Sequence, residues 1–129
     1  KEKPNRNVMA WLDHVNDDEL AISVITLRER LEGVANARRQ GFDGADEMER
    51  DVEKLASGYA GRILPMDEAA ARHWAALLVP DRSHADDKAQ VAIARANGLA
   101  LVTLNWRHAQ GKGVEVINPS RRPPKSYPS

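Results

Sequence analysis

The segment Asp87-Lys-Ala-Gln-Val-Ala-Ile-Ala-Arg-Ala-Asn-Gly98-Leu-Ala-Leu-Val-Thr103 constrains this chain more than any other. An acidic residue opens a helix of small residues. Gly98 follows the last helical position, where a left-handed C-terminal cap is expected. A short apolar run comes next, and Asn105 lies just past its end. A helix feeding directly into a buried strand is a unit of a parallel sheet. The order puts Asp87 and Asn105 at one rim of that sheet, where open α/β folds bind ligands. Glu29 follows another apolar stretch, Leu20 to Ile25, and can reach the same rim. Carboxylates gathered there suit a hard divalent cation such as Mg2+ or Mn2+.

Local patterning predicts the other elements. Asn7 caps a short helix to about His14, with Val8, Trp11, Leu12 and Val15 on its apolar side. Leu20 to Val24 reads as a buried strand. Thr26-Leu-Arg-Glu29 matches a capping box opening a helix to about Arg39, with Leu27, Leu31 and Val34 inward. Ala45 to Ala60 is a second, charged helix, and Arg62 to Pro65 a very short strand. Asp67 caps a helix to about Leu78. Ser83 to Asp86 fits another capping box, whose helix reaches Asn97. Ala100 to Thr103 and Val114 to Ile117 are the last strands. Strands alternating with helices predict an α/β fold, a small parallel sheet flanked by helices in three layers. The expected domain covers residues 1–118. Residues 119–129, with four prolines and several basic side chains, read as an extended or mobile tail.

Composition excludes more than it selects. Nineteen basic residues balance nineteen acidic ones, so overall charge argues for neither a nucleic-acid nor a membrane partner. There is no cysteine, which excludes disulfides and thiolate-bound metals and fits a cytoplasmic protein. No apolar run approaches the roughly 20 residues that span a bilayer. Local basic clusters at Arg28, Arg30, Arg38 and Arg39, and at Arg121, Arg122 and Lys125, could still hold phosphates.

Each candidate site residue has two readings. Glu29 is either a metal ligand at a strand-to-helix junction or a capping-box carboxylate returning to the Thr26 backbone N–H. Asp86 and Asp87 are either ligands or first-turn acids opposing the positive helix end. Asn105 is a ligand-orienting group or an ordinary turn residue. His108, in the following loop, can ligate metal or move protons near neutral pH. His14, His73 and His84 show no metal-ligand spacing among themselves. No Gly-rich phosphate loop and no His-Glu-x-x-His pattern is present.

Four segments in this order resemble the PIN-domain family, in particular VapC and FitB-like toxins of bacterial toxin–antitoxin pairs. They are Leu20 to Gly33, Gly61 to Trp74, Ala85 to Thr103, and Gly113 to Pro119. The resemblance implies a Mg2+-dependent (or Mn2+-dependent) endoribonuclease acting on RNA, a cognate antitoxin, and a homodimer. By position, Glu29 matches the family's helix glutamate and Asp87 its aspartate eleven residues before the glycine. Asn105 falls where the family carries Asp or Asn. His108 stands where related sequences usually have Asp, and Arg28 replaces a small residue beside Glu29. The family normally begins with a strand ending in Asp-Thr-Asn, whose Asp is a metal ligand, and nothing precedes Lys1 in this sequence. The expectation is therefore a nuclease with catalytic Glu29, Asp87 and Asn105, metal ligands Glu29 and Asp87, and Asp86 and His108 as further candidates. The alternative is a truncated or degenerate relative that lacks nuclease activity and serves as a binding or dimerisation module.

Overall fold

The computed structural model describes residues 5–129. Their elements follow the order α1 (Arg6–His14), a 3-10 turn (Asp17–Glu19), β1 (Ile22–Ser23), α2 (Val24–Arg39), α3 (Ala45–Gly58), β2 (Ile63–Leu64), α4 (Glu68–Leu78), α5 (Ala85–Ala96), β3 (Leu101–Val102), α6 (Trp106–Ala109), β4 (Val116–Asn118) and β5 (Lys125–Tyr127). They form two units, Ala21–Pro65 and the segment up to Leu20 together with Met66–Ser129.

In the unit Ala21–Pro65, β1 and β2 pair in parallel, Ile22 opposite Ile63 and Ser23 opposite Leu64. The predicted strand through Val24 is cut short. The Ser23 hydroxyl accepts the Thr26 N–H at 3.2 Å and starts α2 at Val24. Satisfying one of a helix's unpaired N–H groups in this way is what favours serine at a cap. Thr26 is therefore a first-turn donor and not the cap. Ile25, Val34 and Ala37 of α2 are buried, as are Ala45 and Val52 of α3. Leu31, expected inward, is 42% exposed. The two helices pack together, and Arg38 at the end of α2 holds Asp46 at 2.9 Å and Glu49 at 2.5 Å in α3. That guanidinium draws the Glu49 carboxyl below the usual carboxylate range.

The other unit is built around α5. Lys88, Ala89, Val91, Ala92, Ile93 and Ala94 are all buried in it. Its alanine stripe lets α4 approach closely, and Ala70 of α4 is fully buried. Trp74 of α4 donates its indole N–H to the Ala85 carbonyl at 2.9 Å, which ties down the start of α5. Asp67 caps α4 as expected, accepting the Ala70 N–H at 2.9 Å. Gly98 closes α5 at φ +64°, a conformation that costs glycine nothing and other residues about 1–2 kcal/mol.

Beyond Gly98, β3 runs parallel to β4, Leu101 opposite Val116 and Val102 opposite Ile117. A core of Val91, Ala94, Ala109, Val114 and Val116 joins α5, α6 and this sheet, with Leu77, Leu101, Trp106 and Tyr127 packed against it. Full burial of an aliphatic side chain such as Val91 or Val116 stabilises by about 1.5–3 kcal/mol. The tail takes the first of its two expected states, extended, over Lys125–Tyr127. Its last strand, β5, pairs antiparallel with β4, Val116 opposite Tyr127. The Tyr127 ring stacks on Trp106 of α6, centroids 4.5 Å apart and planes 4° from parallel. At the other end Asn5, not Asn7, caps α1, accepting the N–H groups of Asn7 and Val8 at 2.9 and 3.1 Å.

A candidate metal centre at the start of α5

The turn before α5 departs from the capping-box expectation. Ser83 faces backward. Its N–H and hydroxyl both donate to the Asp81 carboxylate, at 2.9 and 2.7 Å. These bonds, helped by the nearby Lys88 ammonium, hold the Asp81 carboxyl below its ordinary pKa. Lys88 is 5% exposed, and its ammonium donates to the Asp81 carbonyl. The buried cation thus fastens the turn to the helix that follows it. His84 occupies the cap position in the left-handed region, φ 54° and ψ 43°, with no side-chain cap bond. Histidine is among the few non-glycine residues enriched in that region.

This turn directs His84 along one face of α5. His84, Asp87, Val91 and Ala94 follow the spacing that lines a single helix face. Val91 and Ala94 pack in the same core cluster as Ala109 of α6, so the polar start of the face meets the residue preceding Ala109. The rings of His84 and His108 stack with centroids 3.7 Å apart and planes 21° from parallel. One ligand atom each from His84, Asp87 and His108 lies within 4.8 Å of the other two. His84 is exposed, Asp87 and His108 half-buried. Among the described residues this is the one grouping of three His, Cys, Asp or Glu side chains close enough to share an ion.

The expected residues therefore fall into two sets. Asp87 and His108 come together. His84, set aside on spacing within the histidines alone, joins them. Its signal was its place three residues before Asp87, one helical turn away on the same face. Asp86 lies beside Asp87 in the first turn and is exposed. Asn105 precedes α6 at its cap position, and its N–H donates to the Thr103 hydroxyl at 3.0 Å.

Glu29 belongs to the other unit. The capping-box reading of it is overturned, because Ser23 is the cap and Glu29 is a full turn further along α2. Its carboxylate lies 3.8 Å from the Arg28 guanidinium and is 49% exposed. Arg28 also binds Glu32 at 2.6 Å.

An α/β fold with a carboxylate and imidazoles gathered at the start of a helix is a class of protein suited to holding a divalent cation. The PIN domain family model matches residues 1–113, and the chain belongs to the PIN-domain family. It is 30% identical to "Plasmid stability protein StbB" of Pseudomonas syringae pv. tomato over 128 residues, 92% of this chain and 88% of that one. It is also 30% identical to "VapC ribonuclease Y4jK" of Sinorhizobium fredii, with the same coverage. Two solved structures are similar. The crystal structure of FitAcB from Neisseria gonorrhoeae has a TM-score of 0.76 at 30% identity, covering 92% of this chain and 88% of that one. The structure of FitAB bound to an IR36 DNA fragment has a TM-score of 0.74 at 29% identity, covering 94% of this chain and 87% of that one. Among the described residues no helix is long and apolar enough to cross a membrane.

Proposed function

We propose that this chain is a divalent-metal-dependent endoribonuclease, the toxin of a VapBC-type toxin–antitoxin pair. Family membership and the ribonuclease among its relatives support the reaction class. The single observation that carries the reading is the Asp87 carboxylate set beside His84 and His108 at the N-terminus of α5.

Asp87 would hold the cation, and the imidazoles would complete its protein ligands. A bound divalent ion supplies a more acidic water and offsets charge developing on a phosphate. The N–H groups at the start of α5 favour an anion there, so a phosphodiester gains from the helix itself. Fastening of the 81–84 turn by Lys88 keeps His84 facing Asp87. Glu29 is proposed as a second acidic residue of the reaction and metal ligand, on its chemistry and its place in the sequence pattern. Asn105 is proposed to orient water or substrate, and Asp86 to add negative charge beside the ion. Arg121, Arg122 and Lys125 are exposed and supply cations for an RNA backbone. Complexes formed by the FitB-like relatives support a cognate antitoxin as partner; the homodimer and cytoplasmic location follow from the same reading.

The test is cleavage of single-stranded RNA with Mg2+ or Mn2+ and with chelator. Asp87→Asn is expected to lower the rate at least ~100-fold, the scale of losing a charge-stabilising group. Glu29→Gln is expected to act in the same direction. Equal cleavage by wild type and Asp87→Asn sinks the assignment. Absence of cleavage by the wild type, with antitoxin binding retained, supports the binding-module reading instead.

A further inference from the structure

The geometry points to a transition-metal site made by His84, Asp87 and His108, one that prefers Co2+ or Zn2+ to Mg2+. This deepens the reading above by naming the ion, and it rests on that reading only for the site's purpose. The donors are two imidazole nitrogens and one carboxylate oxygen, brought from two elements to within 4.8 Å of one another. Mg2+ asks for oxygen donors in octahedral geometry and dehydrates reluctantly. Imidazole nitrogen favours later first-row metals, and two His with one carboxylate leave coordination positions open for water and substrate.

The spacing is compatible with a shared ion after a small contraction. Metal–nitrogen bonds of about 2.0–2.1 Å place neighbouring donors about 3–3.5 Å apart. Imidazole lone pairs lie in the ring plane, so the stacked rings, 21° from parallel, must turn toward a common centre. Both can. His84 is exposed in a turn, and His108 is a half-buried residue of the short helix α6. The anchors beneath them are fixed. Trp74 and Lys88 hold the start of α5, while the Tyr127 ring on Trp106 backs α6. Metal binding therefore unstacks the two histidines without moving their helices.

The experiment is a titration of the purified chain with Co2+, without RNA, read by visible d–d absorption and by calorimetry. Expected are absorption bands from nitrogen ligation and a Kd for Co2+ at least ~100-fold below that for Mg2+, since imidazole ligation separates the two ions. His84→Gln and His108→Gln should each weaken Co2+ at least ~10-fold while barely changing Mg2+. His108→Asp adds a hard oxygen and should narrow the Co2+ over Mg2+ preference. Paramagnetic broadening of the His84 and His108 ring resonances in the unmutated protein gives a readout that no folding defect can imitate. Equal affinities for Co2+ and Mg2+, or broadening that spares both rings, overturns the site. Because no RNA is present, that failure is separate from loss of the nuclease assignment, which Asp87→Asn cleavage decides.

Discussion

α5 and α2 carry the two acidic residues singled out for chemistry, and they hold them in opposite ways. α5 buries six residues, a lysine among them, directly beyond Asp87. Along its 16 residues α2 buries only Ile25, Val34 and Ala37. Asp87 is therefore placed by packing, while Glu29 is half-exposed beside an arginine of its own helix. A group fixed by the core can be positioned to a fraction of an ångström. A surface carboxylate is positioned by whatever charges reach it, and those are weak and salt-sensitive.

The largest test of this contrast is in the cores. Ile93 of α5 is 1% exposed and Leu31 of α2 is 42% exposed. Ile93→Ala should cost about 2–5 kcal/mol through lost burial and a cavity, and Leu31→Ala under ~1 kcal/mol. Urea denaturation at constant slope checks both. Similar losses at the two positions would remove the distinction between a packed and a surface-held helix.

Lys88 comes next. Lys88→Met keeps the buried stem and deletes the ammonium that anchors Asp81. A lost charged hydrogen bond predicts about 1.5–3 kcal/mol at most. The specific sign is faster amide exchange at Ser83 and Ala85, with residues late in α5 unchanged. Uniform acceleration along α5 would instead make Lys88 a general core residue rather than a clamp on the turn.

His84→Gly should act with smaller magnitude and opposite sign. Glycine relieves a left-handed backbone that costs histidine about 1–2 kcal/mol, and its own unfolded-state entropy takes back part of that. The net expectation is a gain of ~0.5–1 kcal/mol in denaturant with Co2+ affinity lost. A protein that is more stable and binds the ion less tightly shows strain kept for a ligand. Loss of stability would place His84 among the structural residues.

Much of this division was readable in the sequence. The Gly98 stop, the alanine stripe and the Asp67 cap name their elements because each is a local rule with one physical solution. The α2 start was misplaced because Ser23 and Thr26 both satisfy the cap pattern, and only the hydroxyl's acceptance of the Thr26 N–H decides. The Ser83 cap failed for a similar reason: Asp81, two residues back, draws the Ser83 hydroxyl to itself, and His84 takes the cap position. His84 was missed because its partner is 24 residues away across β3, a separation no periodic pattern reports. For the tail, composition registers four prolines and an extended course but not the pairing of Lys125–Tyr127 with β4.

The smallest expected effect lies in the electrostatics joining α2 to α3. Arg38 bridges Asp46 and Glu49 and depresses the Glu49 carboxyl below its ordinary 4.5. A depressed folded-state value means that the stabilisation is present above the unfolded pKa and disappears as pH falls through the folded one. Arg38→Ala should therefore lower the melting temperature slightly near neutral pH and not at all at the acid end. Melts between about pH 6 and pH 3 would show the two proteins converging, and roughly 1 M salt at neutral pH should bring them together as well. Asp81, also depressed but by Ser83, keeps its own acid sensitivity in both proteins. A gap between them that persists in acid and in salt would mean that Arg38 acts through packing of its stem, and α2 would then be core-held like α5.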